Sequence, residues 1–234
     1  MAGETSCVVL LSGGMDSATL LAKAKRENDK VTALTLNYAQ RHKVEIECAM
    51  QVAKHFKVSH KVLDVSNINS LLQGSALTSK DIEVPKGHYE DESMKLTVVP
   101  ARNTILLSLA LGWCITCGFN IVAYAAHAGD HAIYPDCRPA YIEAMQEVFD
   151  RAHYWPVKLW VPFMFMNKGD ILKEGFKLKV PYEKTWTCYD PQEIVYTDRT
   201  EVVACGKCGS CTERLEGFNQ NSIVDPIQYV VGSR

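Results

Sequence analysis

Apolar positions along the chain follow two alternating rhythms. Cys7, Val8 and Val9 form an unbroken apolar run, a polar, glycine-rich break follows at 12–14, and small and apolar residues fill 18–24. That order predicts a buried strand, a tight turn and a helix. Residues 31–36 read as a second buried strand. Val44, Cys48, Val52 and Phe56 then recur four apart on one helical face, and residues 60–65 read as a third strand. This β-α-β-α-β alternation predicts an α/β fold with a doubly wound parallel sheet and right-handed crossovers. Ligands of such sheets sit beyond the carboxyl ends of the strands, where Ser12 and the stretch after Leu36 both fall.

Between 66 and 98 the rhythm fails. Gly74, Pro85, Gly87 and the acidic cluster Glu90-Asp91-Glu92 stand among few periodic apolar positions. The expectation is a long loop with at most a short helix near 68–72, either a lid over substrate or a plain surface loop. Beyond it the pattern predicts a strongly apolar helix over 104–118 and a strand over 120–125. A helix over 139–152 follows, with Pro139 in its first turn, then a strand over 158–163. Asn167 is placed to cap a further helix, and another is expected from 212 to about 218. The residues beyond that helix offer few long apolar runs, so their order is expected to depend on metal.

Composition narrows the class. The 234 residues are 47% apolar and 22% charged, as in an ordinary globular chain with one substantial core. A net charge of −2 gives no global attraction to nucleic acid or an anionic membrane. No apolar run reaches the length of a membrane span, and no secretory leader is legible at the N-terminus. Nine cysteines, three of them at C-x-x-C-x-x-C spacing, favour a reducing cytoplasm and a metal site over a disulfide framework.

Candidate chemistry starts at Leu11-Ser12-Gly13-Gly14-Met15-Asp16-Ser17. Adjacent glycines permit a sharp turn, and the free N–H groups of the new helix, with Ser12 and Ser17, converge on a place suited to phosphate. The Walker A spacing and its lysine are absent. The stretch 37–42, ending in Arg41 and His42, either lines an adenosine pocket or merely opens the next helix. The loop 127–139 gathers histidines, carboxylates and Arg138 at the end of a strand, where chemistry is expected. Lys168 stands at the positive end of a helix dipole, which suits an anionic phosphate partner better than helix stability, although a solvated lysine reads equally well. Cys114 and Cys117 have metal-like spacing but lie within the apolar helix, so packing is expected of them. Cys205, Cys208 and Cys211 can converge on one tetrahedral ion, with Cys188 the nearest thiol for a fourth ligand. Such a closed set points to structural zinc ahead of an iron–sulfur cluster.

The SGGMDS loop at 12–17 resembles the pyrophosphate loop (PP-loop) of the ATP pyrophosphatases. With YAQRH at 38–42, VPARN at 99–103, YPDCR at 134–138, TWTCY at 185–189 and CGKCGSCTER at 205–214, nearly the whole chain resembles the 7-cyano-7-deazaguanine synthase family. The resemblance implies a Rossmann-like, adenine nucleotide alpha hydrolase-like domain over 1–184 with a zinc-binding segment over 185–234 packed on it. It implies ATP-dependent conversion of 7-carboxy-7-deazaguanine and ammonia to the nitrile, through an adenylated carboxylate and an amide. By the same resemblance, Leu11 to Ser17 hold ATP with Mg²⁺, and Cys188, Cys205, Cys208 and Cys211 hold zinc. Asp16, Ser17, Arg102 and Lys168 are the catalytic candidates, and Arg102, Asp130, Asp136 and Arg138 the substrate-binding ones. Asp136 is expected at the guanine-like ring edge. The expected partners are small molecules and a second copy in a homodimer, with no membrane or nucleic acid. Three features depart from the usual family pattern: Ala101 where glycine is common, the 127–131 loop, and a longer interval between Cys188 and Cys205. Relatives that stop at the amide or pass the activated base to another amine fit the same motifs. A tRNA-modifying PP-loop enzyme would need a basic surface that the charge does not offer. A non-catalytic nucleotide-binding module would be expected to lose the loop serines or Asp16.

Overall fold

The central sheet is assembled from β1 (Ser6–Leu10), β2 (Lys30–Asn37), β3 (Ser59–Asp64), β4 (Ile121–Ala123) and β5 (Lys158–Trp160). Their order is β3-β2-β1-β4-β5 and every pair is parallel. The computed structural model describes residues 4–41, 44–79, 81–88, 91–195, 198 and 200–230. His42 and Glu90, both singled out in the sequence, lie outside the described residues.

The unbroken apolar run of β1 is explained by its place. All five of its residues are buried, because helices cover both faces of the sheet at its centre. Cys7, Val9 and Leu11 face one layer, built from α1 (Met15–Glu27), α2 (Val44–Phe56), α5 (Lys168–Lys177) and α6 (Gly209–Gln220). Val8 and Leu10 face the other, built from α3 (Arg102–Thr116) and α4 (Pro139–Arg151). The strand order reverses between β1 and β4, so their carboxyl ends open a crevice at the switch point. No helix among the described residues is long and apolar enough to cross a membrane.

Residues 66–98 carry the short helix expected near 68–72 but are more packed than an open loop. They form two 3₁₀ turns, Ser66–Leu71 and Glu92–Thr97, and bury Leu72, Ala76, Leu77, Met94 and Thr97. These side chains reach three different neighbours at irregular spacing, so no period announced them. The described part of the segment is therefore packed on the body of the molecule at those points.

The interval between Cys188 and Cys205 holds an antiparallel pair, β6 (Gln192–Val195) and β7 (Thr200–Val203), absent from the sequence reading. Around the cysteines the C-terminal segment also buries Trp186, Ala204, Ile227 and Tyr229, more apolar surface than its sequence suggested. Fully buried Arg214 fastens it to the main body. Its guanidinium donates to Asp225 at 2.7 and 2.9 Å, to Thr185 Oγ1 at 2.8 Å and to the Tyr182 carbonyl at 3.1 Å.

Candidate active site

The turn between β1 and α1 is shaped by Gly13. Its φ of +91° is unfavourable for any residue with a Cβ, and a Cβ there would collide with the Glu45 carbonyl. The turn leaves the N–H groups of Met15, Asp16 and Ser17 without partners inside α1, whose first bond runs from Ala18 N to the Gly14 carbonyl at 3.0 Å. Ser17 Oγ braces the turn. It donates to the Gly14 carbonyl at 3.0 Å, accepts from Ser12 N at 3.2 Å and lies 3.0 Å from Ser12 Oγ. The result is an anion site of backbone donors and hydroxyls, while Met15 turns into the core.

Behind the loop lies a buried charge cluster. Asn167 caps α5 and exchanges hydrogen bonds with Asp170, fixing Lys168 as the first helical residue. The lysine stem crosses Gly217 of α6 so closely that a Cβ there would stand 2.7 Å from Lys168 Cγ. Lys168 Nζ meets Asp16 Oδ2 at 2.7 Å, His127 Nε2 at 2.8 Å and Glu213 Oε2 at 3.1 Å. Burial works against its charge, but Asp16 and Glu213 outweigh it and raise the lysine's pKa. Burial likewise pushes the Asp16 carboxyl up, yet Lys168 and His127 hold it below the ordinary value. The solvated-lysine reading is thereby excluded. Asp16 Oδ1 is buried with no hydrogen-bond partner among the described residues, a lone pair left for a ligand or cation.

The switch-point crevice is a cavity of about 240 Å³. Leucines 10, 11, 34, 36, 77 and 106 supply apolar walls, and Ser12, Asp16 and Ser17 bring the loop to its edge. Arg102 opens α3; burial works against its charge, but the neighbouring Tyr38, Tyr124, Tyr189 and Tyr134 outweigh it and raise its pKa. Glu45, from the first turn of α2, lines the same cavity. Burial pushes its carboxyl up to about 7, only partly countered by Arg102.

The sulfur atoms of Cys188, Cys205, Cys208 and Cys211 lie within 4.8 Å of one another and all four residues are buried. Backbone N–H groups of Asp190 and Cys205 point at Cys188 Sγ at 3.4 and 3.3 Å. Those of Lys207 and Cys208 point at Cys205 Sγ at 3.4 and 3.3 Å. Such donors suit thiolates, and the set can hold a metal ion. Cys114 instead packs in the core and Cys117 is exposed. The cluster is tied to the anion loop through Trp186, whose backbone N–H donates to the Gly13 carbonyl at 2.9 Å and whose indole N–H donates to the Cys188 carbonyl at 3.1 Å.

A family model described as "Queuosine biosynthesis protein QueC" matches residues 6–222. The chain belongs to this family. The relative named 7-cyano-7-deazaguanine synthase from Hahella chejuensis is 51% identical over 222 residues, 95% of this chain and 92% of the relative. The one named 7-cyano-7-deazaguanine synthase 1 from Colwellia psychrerythraea is 52% identical, over 95% of this chain and 97% of its own.

In this QueC-family chain the sequence candidates separate spatially. Leu11, Ser12, Asp16, Ser17, Arg102 and Asp130 line the cavity. Gly13, Gly14 and Met15 shape the loop beside it, and Lys168 stands behind Asp16. Asp136 is not part of the cavity lining; its carboxylate accepts from Asn103 N at 3.2 Å and so steadies the start of α3. Arg138 is exposed, donating to the carbonyls of His131 at 2.8 Å and Ala132 at 3.4 Å. Sequence reasoning missed Glu45 and Glu213. The first looked like an ordinary acidic residue at a helix start, and the second sat within the TER of a motif valued for its cysteines.

Proposed function

We propose that this chain converts 7-carboxy-7-deazaguanine and ammonia to 7-cyano-7-deazaguanine, consuming ATP at each of two activation steps and releasing AMP and pyrophosphate. Family membership over residues 6–222 carries the reading. An anion loop opening directly onto a cavity that contains Arg102 supports it. A carboxylate resists amines because it is anionic and its oxygen leaves poorly. In the first activation that oxygen attacks the α-phosphorus of ATP, and pyrophosphate leaves into the loop of Ser12, Ser17 and the free α1 N–H groups. Ammonia adds to the acyl carbon, loses a proton, and AMP departs to leave the amide. In the second activation the amide oxygen attacks a new α-phosphorus. Loss of AMP and the remaining N–H protons leaves the nitrile.

Lys168 and Arg102 offset charge that gathers on phosphate and carboxylate. Asp16, with its unpartnered Oδ1, would hold Mg²⁺, which when bound shields the phosphates. The four cysteines would hold zinc. Tetrahedral Zn–S bonds of about 2.3 Å bring sulfurs to about 3.8 Å, which fits atoms lying within 4.8 Å. We assign zinc over iron–sulfur because the reaction moves acyl and phosphoryl groups and no electrons.

The test is incubation with the carboxy base, ATP and ammonium, followed by mass spectrometry. Nitrile with AMP and pyrophosphate is expected. ADP and phosphate would overturn the loop assignment, while an amide or a conjugate as end product would overturn the nitrile assignment.

A further inference from the structure

Glu45 is a carboxylate in an odd position. It lines the cavity, yet no described residue donates a hydrogen bond to it or forms an ion pair with it. Arg102 is near enough for its charge to act on Glu45, but it is engaged elsewhere, donating from Nε to Asn103 Oδ1 at 3.2 Å and to Tyr38. Glu45 is half-buried at the cavity wall, and a carboxylate partly withdrawn from water without donors is costly. Where one persists beside a cavity, a ligand is the natural source of the missing donors.

The bases handled in the proposed reaction differ in what they offer such a group. The six-membered ring of a 7-deazaguanine presents N1–H and the 2-amino N–H side by side, two donors that a carboxylate accepts in parallel. Adenine offers a donor at its amino group beside an acceptor at N1, whose lone pair would face a carboxylate oxygen. The match is therefore to the deazaguanine and not to ATP. Arg102, with no carboxylate partner among the described residues, is left for the acidic and carbonyl side of the same molecule.

We propose that Glu45 selects the base, its carboxylate receiving the N1–H and 2-amino groups of the 7-deazaguanine ring. The inference rests on the proposed function and replaces Asp136, which is committed to the start of α3, as the reader of that edge.

The test compares wild type with Glu45→Gln and Glu45→Asp. Calorimetric binding of the carboxy base is measured without ATP, and KM for base and for ATP in turnover. Glu45→Gln keeps the shape but turns one acceptor into a donor, so affinity for the base is expected to fall about tenfold or more. KM for ATP should stay within about twofold. A base analogue lacking the 2-amino group should bind wild type about tenfold more weakly than the full base, and Glu45→Gln should lose that discrimination. Glu45→Asp should recover part of it. A raised KM for ATP, or unchanged base affinity and discrimination in Glu45→Gln, would overturn the inference. Failure of wild type to turn over the carboxy base would remove the reaction reading instead.

Discussion

At the scale of single residues, two backbone and charge anomalies have measurable consequences. Ala101 precedes α3 with φ 49° and ψ 22°, a left-handed conformation that a Cβ disfavours, and it is exposed, so its methyl group makes no compensating packing. Ala101→Gly should therefore stabilise the fold by about 1 kcal/mol, read as a raised urea midpoint with unchanged slope. Glu45 behaves oppositely to most carboxylates. Burial raises its folded pKa from 4.5 to about 7, so between those values the native state binds more protons than the unfolded chain. Stability is then complete below the unfolded value and is lost as pH rises toward 7. Glu45→Gln removes that loss. It should be more stable than wild type above pH of about 7 and show no such advantage near pH 4. Equal differences at both pH values would show that the side chain acts through packing alone.

At the scale of elements, α5 shows how a cap serves a site. Asn167 accepts from Asp170 N at 2.9 Å and orients the turn that carries Lys168. Asn167→Ala should cost about 1 kcal/mol of stability and lower kcat, because Lys168 would lose its fixed start. A stability loss with normal kcat would limit the cap to a structural role. The strands and long helices were legible because burial on one or both faces imposes a period. Residues 66–98 were not, since Leu72, Met94 and Thr97 are buried by unrelated neighbours. The β6–β7 pair was hidden because Glu193, Val195 and Val202 are exposed and Val203 is its one buried residue, too little to declare a core face. The loop at 12–17 and the three close cysteines were legible as contiguous chemistry. Glu213, Glu45 and the tyrosines around Arg102 acquire meaning only when distant segments meet.

At the scale of the whole molecule, the four-cysteine cluster and the anion loop form one continuous body. Cys211 lies in the first turn of α6, two residues later Glu213 meets Lys168, and Lys168 meets Asp16. Removing metal with a chelator, or making Cys208→Ser, should lower the melting temperature by about 5 °C or more. It should also raise protease sensitivity after residue 185 and weaken ATP binding in step with that loosening. Elemental analysis should find about one zinc per chain. A metal-free chain with a rigid tail and full activity would refute the coupling.

The lysine that neutralises Asp16 is itself held by an acidic residue from the last helix, and this gives the site a timetable. Ser17 leaves the ribosome 196 residues before Glu213, an interval of about 10–40 s at ordinary synthesis rates. The central strand gains β4 beside it only about halfway through that time, and the glycine turn lacks its bond from Trp186 until near the end of it. A nascent or truncated chain that lacks α6 therefore carries the phosphate motif without a working pocket, and the site is complete only once Glu213 has been made.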